Sequence, residues 1–464
     1  MSSLVPERES TIAAISTPPG EGGVAVIRIS GAQSHAIARK IFVPAGNSGF
    51  SERKLCFGKI VNPQTDETVD EVLCVVMNSP DTYTGENVAE IHSHGGHIVP
   101  RKILEILIGL GATLAAPGEF TQRAFLNGKM DLAQAEAVSD IINAQTEQSL
   151  RYAEAQLEGV LSGKVNALKD QILDILAEIE ANLDFPEEDI DPVAKNRLKE
   201  TSESVEKELS TLIESYDTGR MFRDGVTMVI LGKPNVGKSS ILNCLLEAQR
   251  AIVSPVAGTT RDFIEEKINV GGIPLVITDT AGIRDTKDRI ERLGVELSLK
   301  KAEESELVLV VLDQSTELDS LDRKILETAA KKKHLVVINK MDLEERLEES
   351  KLQKILEGKE PVKTSALTKE GIERLRQTMF ETLAGSPRGT DASELVLTNL
   401  RHKKSMEKAR DQLRMFLRLL ERNEYLEILS IELRNSMDSL GEITGEITTE
   451  DLLGRIFSRF CIGK

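Results

Sequence analysis

An apolar run at 226–231 leads directly into Gly232-Lys-Pro-Asn-Val-Gly237-Lys238-Ser239, and Ser240-Ile-Leu-Asn-Cys-Leu-Leu follows as the opening of a helix. Between a strand and a helix, G-x-x-x-x-G-K-S is the spacing of a loop that cradles phosphates. Its glycines let successive backbone N–H groups turn toward one anion, and the helix N-terminus adds partial positive charge. In that geometry Lys238 reaches the β- and γ-phosphates and Ser239 ligates Mg²⁺. Such a loop demands a mainly parallel sheet around it. Apolar strand candidates at 274–278, 307–312 and 334–338, alternating with helical stretches from about 226 to 382, meet that demand.

Four companion segments occur in order at the strand ends. Asp279-Thr280-Ala281-Gly282 places Asp279 to hold Mg²⁺ indirectly and the Gly282 amide to sense a γ-phosphate. Gly258-Thr259-Thr260-Arg261-Asp262 offers a threonine that completes the Mg²⁺ shell and releases it after hydrolysis. Asn339-Lys340-Met341-Asp342 offers a carboxylate to the N1 and N2 donors of guanine. Adenine lacks that pair, so a buried Asp342 carboxylate left unpaired would cost ~1–3 kcal/mol, which selects GTP over ATP. Ser365-Ala366-Leu367 follows as the loop supporting the base. Together these imply a GTPase domain. Ile283 stands where many such enzymes carry a water-orienting Gln, so a polar group elsewhere must take that part. Arg284, Asp285, Asp288 and Glu291 are candidates, and Asn235 offers a side-chain oxygen to a monovalent cation.

With 464 residues the chain exceeds one core, and two to four domains are expected. Residues 1–118 read as a small α+β domain, with strands at 24–29 and 72–77 and a helix at 100–109. Residues 119–219 and 386–464 read as helical. Leu168, Ile172, Ile175, Leu176 and Ile179 share one helical face, as do Leu413, Phe416, Leu417 and Leu420. The economical arrangement is one helical domain interrupted by a GTPase block at 220–385; two separate helical regions are the alternative. Thr448, with Asp451 as partner, is the expected cap of the last helix, and 186–191 the turn between two helices.

No window offers the ~20 apolar residues of a membrane span, and the N-terminus lacks a signal-peptide layout, so a cytoplasmic location is expected. Cys56, Cys74, Cys244 and Cys461 show no metal-ligand spacing and read as reduced thiols. A net charge of −17 restricts any nucleic-acid contact to a local basic patch or to a partner. Lys331-Lys-Lys333 reads as a solvated face, and His92, His94 and His97 as turn and interface residues. Gly20-Glu-Gly-Gly23 leads into a strand and reads as a hairpin or substrate-contacting loop. Cys461 has the position of a prenylated cysteine, but Gly463, Lys464 and the lack of a polybasic stretch oppose that; a buried structural thiol is the plain alternative.

Across essentially its whole length the sequence resembles the bacterial tRNA-modification GTPase MnmE (TrmE) family. The resemblance is carried by Thr17-Pro-Pro-Gly-Glu-Gly-Gly-Val24, Tyr83-Thr-Gly-Glu-Asn87, His94-Gly-Gly96, Pro117-Gly-Glu-Phe-Thr-Gln-Arg-Ala-Phe-Leu-Asn-Gly-Lys129, the Gly232–Ser240 loop, Gly258–Asp262 and Phe460-Cys-Ile-Gly-Lys464. It implies a homodimer that works with the flavoprotein MnmG (GidA), which carries FAD, in a heterotetramer-type complex. Together they modify C5 of the wobble uridine (position 34) of certain tRNAs to (carboxymethyl)aminomethyluridine. The one-carbon unit comes from 5,10-methylene- or 5-formyl-tetrahydrofolate. Folate-site residues map to Arg28, Glu90, Lys129 and Lys464 in a dimerising N-terminal domain; cations suit glutamyl carboxylates and a carboxylate suits the pterin amino donors. The GTP contacts map to Asn235, Val236, Gly237, Lys238, Ser239 and Ser240, to Ser254, Pro255, Val256, Ala257, Gly258, Thr259 and Thr260, and to the later motifs. K⁺ ligands map to Asn235, Ser254, Val256 and Thr259, and Mg²⁺ ligands to Ser239 and Thr260. The Ser254 ligand is a backbone carbonyl, so Ser in place of the family's frequent Thr changes little. K⁺ sits between two GTPase domains in place of an arginine finger. Glu291 maps to the water-positioning glutamate, Arg261 and Arg284 to supporting positions, and Cys461 to a thiol in the modification reaction. The rival class is a GTPase module checking ribosome or membrane assembly, which has no need of folate.

Overall fold

The structure, a computed structural model, describes residues 10–46, 51–184, 192–250, 266–278, 300–356, 358–385 and 395–464. By compactness the chain divides into two units: residues 1–139, 155–205 and 411–464 form one, and residues 140–154 and 206–410 the other.

Period-two patterning builds the first sheet. Its strands are β1 (Ile12–Ile15), β2 (Val24–Ser30), β3 (Phe42–Pro44), β4 (Cys56–Val61), β5 (Thr68–Met77), β6 (Val88–His94) and β7 (Thr113–Leu114), in the order β3-β4-β5-β6-β2-β1-β7. All neighbours are antiparallel except β1 and β7. Successive strand residues face opposite sides. Ile27 and Ile29 of β2, Val72, Cys74 and Val76 of β5, and Ala89 and Ile91 of β6 therefore share one core with the helices Ser34–Ile41 and Val99–Gly109. The intervening Arg28 and Glu90 lie directly opposite one another in the β2–β6 register, on the other face.

Further along the same unit, the helix Val160–Asp184 packs against Leu426–Thr444. Lys169 pairs with Glu446, and Arg434 with Glu180. Segments that precede and follow the α/β block thus meet. The five apolar positions from Leu168 to Ile179 are all buried, as are Leu413, Phe416 and Leu420. The last helix, Glu450–Phe457, is capped by Thr449, whose side chain accepts from the Leu452 amide. Thr448 and Asp451 do not form the expected box; the helix starts one residue later, and Thr449 holds the extended cap conformation. Leu453, Ile456, Phe457 and Phe460 pack against Leu132 and Ala135. The expected turn at 186–191 lies outside the described residues.

In the second unit, β8 (Val226–Leu231), β9 (Glu266–Val270), β10 (Ile273–Ile277), β11 (Leu307–Asp313), β12 (Lys333–Asn339) and β13 (Val362–Lys363) form a sheet in the order β13-β12-β11-β8-β10-β9. Only edge strand β9 runs antiparallel. All seven residues of β11 are buried, as a central strand covered on both faces requires. With its phosphate-loop motif between β8 and the helix Lys238–Arg250, this is a P-loop GTPase fold. Among the described residues no helix is long and apolar enough to cross a membrane.

Candidate functional site

The loop leaving β8 turns on Asn235 at φ 63° and Gly237 at φ 98°. A Cβ on Gly237 would lie 2.2 Å from Asn339 Nδ2, so a side chain there is excluded by space as well as by conformation. Lys238 Nζ donates to the carbonyls of Gly232 (2.9 Å) and Lys233 (2.7 Å), which keeps the ammonium over the loop. Ser239 and Ser240 follow in the first turn of the helix.

Asn339, 1% exposed at the end of β12, ties that loop to the base-side loops. Its Nδ2 donates to the Val236 carbonyl at 2.9 Å. Its Oδ1 accepts from the Ala366 amide at 3.1 Å and from Thr364 Oγ1 at 3.3 Å. Lys340, at φ 66°, donates through Nζ to Asp313 Oδ2 at 2.6 Å. Burial raises the Asp313 pKa, but hydrogen bonds from Lys340 and Ser315 outweigh it and hold the carboxyl below its ordinary value. Ser365 Oγ donates to Asp342 Oδ1 at 2.5 Å. Asp342 is exposed, so the penalty for an unpaired carboxylate arises only once a base covers it. Leu367 is 81% exposed beside it.

The phosphate loop, Asn339, Lys340, Asp342 and 365–367 are thus linked by hydrogen bonds. Asp313 is a residue that motif reading passed over. Its signal is positional: it ends the buried strand β11 and lies opposite Asn339 in the β11–β12 register. Ser254, Pro255, Val256, Ala257, Gly258, Thr259, Thr260, Arg261, Asp279, Thr280, Ala281, Gly282, Arg284 and Glu291 lie outside the described residues, and with them most of the expected Mg²⁺ and K⁺ ligands.

A second constellation forms on the other face of the first sheet, where Phe120 is fully buried and Arg28 and Glu90 are partly covered. Arg28 Nε donates to Glu90 Oε1 at 2.7 Å. The guanidinium lies 5.5 Å from the Tyr83 ring centroid and 5.7 Å from that of Phe120, within cation–π range. Tyr83 Oη and Thr121 Oγ1 are 2.8 Å apart. The backbone amide of Phe120 donates to the Lys464 carbonyl at 3.2 Å, and that of Gly118 to Cys461 at 3.4 Å. Gly463, at φ 94°, packs so closely that a Cβ would lie 2.5 Å from the Ile15 carbonyl oxygen. Lys129 Nζ donates to the Pro80 carbonyl at 3.1 Å, and its side chain lies against Gly85, two residues from Tyr83.

The structure therefore gathers Arg28, Glu90 and the backbone of 461–464 around Phe120, with Lys129, just after the helix Glu119–Leu126, reaching to the loop that carries Tyr83. A charged pair beside the part-exposed ring of Tyr83 can take a planar heterocycle with exocyclic amines. Cys461 is exposed, which removes the buried-thiol reading and leaves its sulfur open to a reactant.

On the same face lies a buried ion network. Arg123 Nη2 donates to Glu119 Oε1 at 2.8 Å, and Nη1 to Glu86 Oε1 at 3.1 Å and to the Ser10 carbonyl at 2.8 Å. Ser30 Oγ donates to Glu86 Oε2 at 2.6 Å. The network anchors the helix Glu119–Leu126 beside the loop that carries Tyr83.

Two family models match the chain: the GTP-binding protein TrmE N-terminus over residues 11–129 and the MnmE helical domain over residues 132–461. Three curated relatives, each described as tRNA modification GTPase MnmE, are similar over nearly the full length. The protein from Alkaliphilus oremlandii is 44% identical over 98% of this chain and 99% of its own. That from Geobacter metallireducens is 46% identical, again over 98% and 99%. That from Ligilactobacillus salivarius is 42% identical over 100% of both. With its nucleotide loop, its guanine-side loops and both family models in place from end to end, this chain belongs to the tRNA modification GTPase MnmE family.

Proposed function

We propose that this chain hydrolyses GTP to GDP and phosphate and, as a homodimer with an FAD-carrying flavoprotein partner, modifies C5 of the wobble uridine of certain tRNAs. The observation that carries the reading is Asn339, which joins the phosphate loop to the base-side loops in a chain collinear with relatives named for tRNA modification.

In hydrolysis, water attacks the γ-phosphorus and the bond to the β–γ bridging oxygen breaks. Lys238 and the loop amides bear the charge that shifts onto the phosphates, while Asp342 and Ser365 read the base. Glu291 positions the water, with Arg261 and Arg284 in support. Ser239 and Thr260 would hold Mg²⁺, and Asn235, Ser254, Val256 and Thr259 would hold K⁺; bound there, the two cations would supply further positive charge at the phosphates. Two tests follow from this division of labour. Replacing K⁺ by Na⁺ should slow hydrolysis at least tenfold, and Glu291→Ala should keep GTP binding but lose turnover. Equal rates in both salts would remove the cation from the reading, and a fully active Glu291→Ala would move the water-positioning role elsewhere.

On this face of the first sheet, Glu90 and Arg28 fit the amino donors and acceptors of a pterin beside Tyr83, and Lys129 and Lys464 fit the glutamyl carboxylates. That site would take a tetrahydrofolate carrying the one-carbon unit. Domains at 1–118, 119–219 with 386–464, and 220–385 divide these tasks, in a cytoplasmic protein. Cys461 supplies a thiol to the modification chemistry.

The deciding measurement is nucleoside mass spectrometry of bulk tRNA from a strain lacking the chain. The 5-aminomethyl-type uridines should vanish, return with the intact gene, and fail to return with Cys461→Ser. Unchanged nucleosides would remove the tRNA reading and favour an assembly-checking GTPase.

A further inference from the structure

On the second unit, the ends of the strands away from the nucleotide loops carry a shallow cavity of about 560 Å³. Lys300, Glu303, Lys324, Thr328, Lys331 and Lys332 line it. Leu307 and Lys333 begin β11 and β12 in register, so the residues just before them lie at the strands' starting edge. The phosphate loop and Asn339 lie at the opposite edge, a seven-residue strand or roughly 20 Å away.

The charge balance of this cavity is unlike that of the chain. Four lysines and one glutamate leave 4 − 1 = +3, in a protein of net −17. Lys332 Nζ donates to the Glu303 carbonyl oxygen at 2.6 Å, which ties the segment after β11's neighbouring helix to residue 303. Lys300, Lys324 and Lys331 have no ion-pair partner among the described residues. A cation after the end of a helix is favoured by the helix dipole, which accounts for Lys331 and Lys332 after Ser320–Ala329. It does not account for Lys324, in the first half of that helix, nor for Lys300 on a separate segment. Lys331 and Lys332 of the Lys331–Lys333 run, which on its own reads as a solvated face, here form one side of a concave surface with a net positive lining.

We propose that this four-lysine cavity holds the phosphate backbone of the tRNA on which the chain acts. The inference rests on the proposed function for the identity of the polyanion. Lysines act as point charges on phosphate oxygens, need no base sequence, and release counterions when they bind. A double-stranded RNA segment is recognised in just this way, through phosphates and shape rather than base edges. Because the cavity is far from the nucleotide loops, tRNA held there leaves GTP access open.

The test uses the full chain and Lys324→Gln/Lys331→Gln, which keeps the Lys332–Glu303 tie, beside a triple variant that adds Lys332→Gln. Binding of unmodified tRNA is followed by fluorescence anisotropy across a salt series. Each lost phosphate contact should reduce the slope of log K against log[salt] by about 0.7–0.9, so the double variant should lose about 1.5 and the triple more than 2. GTP hydrolysis without tRNA should be unchanged in both, which also reports that they fold. Equal slopes and affinities in wild type and variants would overturn the proposal while leaving the proposed function intact, since that stands or falls on the wobble nucleosides. If tRNA binding is unchanged but the flavoprotein no longer co-purifies with the variants, the cavity binds an acidic protein surface and the proposal is likewise overturned.

Discussion

Asp342→Asn is expected to lower GTP affinity by two to three decades and to make xanthosine triphosphate the better ligand. The carboxylate accepts from the N1 and N2 donors of guanine, and two charge-assisted hydrogen bonds are worth roughly 1.5–3 kcal/mol each. An amide replaces one of the two acceptor oxygens by an NH2 donor, so it cannot face both guanine donors, but it can accept from N1–H and donate to the C2 carbonyl of xanthine. Ser365 Oγ, 2.5 Å from Asp342 Oδ1, holds either side chain in the same plane, so the variant should fold normally. Competition binding with the two nucleotides decides the matter: a GTP affinity within threefold of wild type would show that Asp342 does not read the base.

Arg123→Ala should be the most damaging single change in the first unit, at about 3–5 kcal/mol, because it leaves a buried carboxylate cluster without its cation. The Arg123 and Glu119 side chains are 5% and 6% exposed, and Glu86 is 20% exposed. Unfolding of this unit can be followed through Cys74. That thiol is fully buried, and burial, aided by the charge of Cys56, raises its pKa to about 12, so it is inert until the sheet opens. Peptide-resolved alkylation across a urea series should show Cys74 reacting at much lower urea in the variant. A loss below 1 kcal/mol would mean that Glu119 and Glu86 find other partners or water and do not depend on Arg123.

The parts legible in the sequence were those carried by local pattern. The β8 strand and its loop could be read because an apolar run, glycine spacing and a lysine stand next to one another. The strands at 307–312 and 334–338 were found to within a residue because their apolar runs are continuous. What was hidden depends on register. Asp313 meets Lys340 only because β11 and β12 align Asp313 with Asn339, residues far apart in sequence. Arg28 pairs with Glu90 through a like alignment of β2 and β6; family likeness named both residues, but nothing local showed that they touch. The cap of the last helix was misplaced by one because adjacent threonines offer the same chemistry, and only the backbone angle at Thr449 selects between them. The lysines at 331–333 were read by themselves, while Lys300 and Lys324 reach the same surface from other segments.

The backbone bonds from Gly118 to Cys461 and from Phe120 to Lys464 also set an order of assembly. During synthesis, the residues that surround Arg28 emerge early, whereas the segment that completes their wall is added only after the entire α/β block has been made. The first unit therefore passes through translation with this wall missing, and the Gly118 and Phe120 amides wait for their acceptors until the last residues are made.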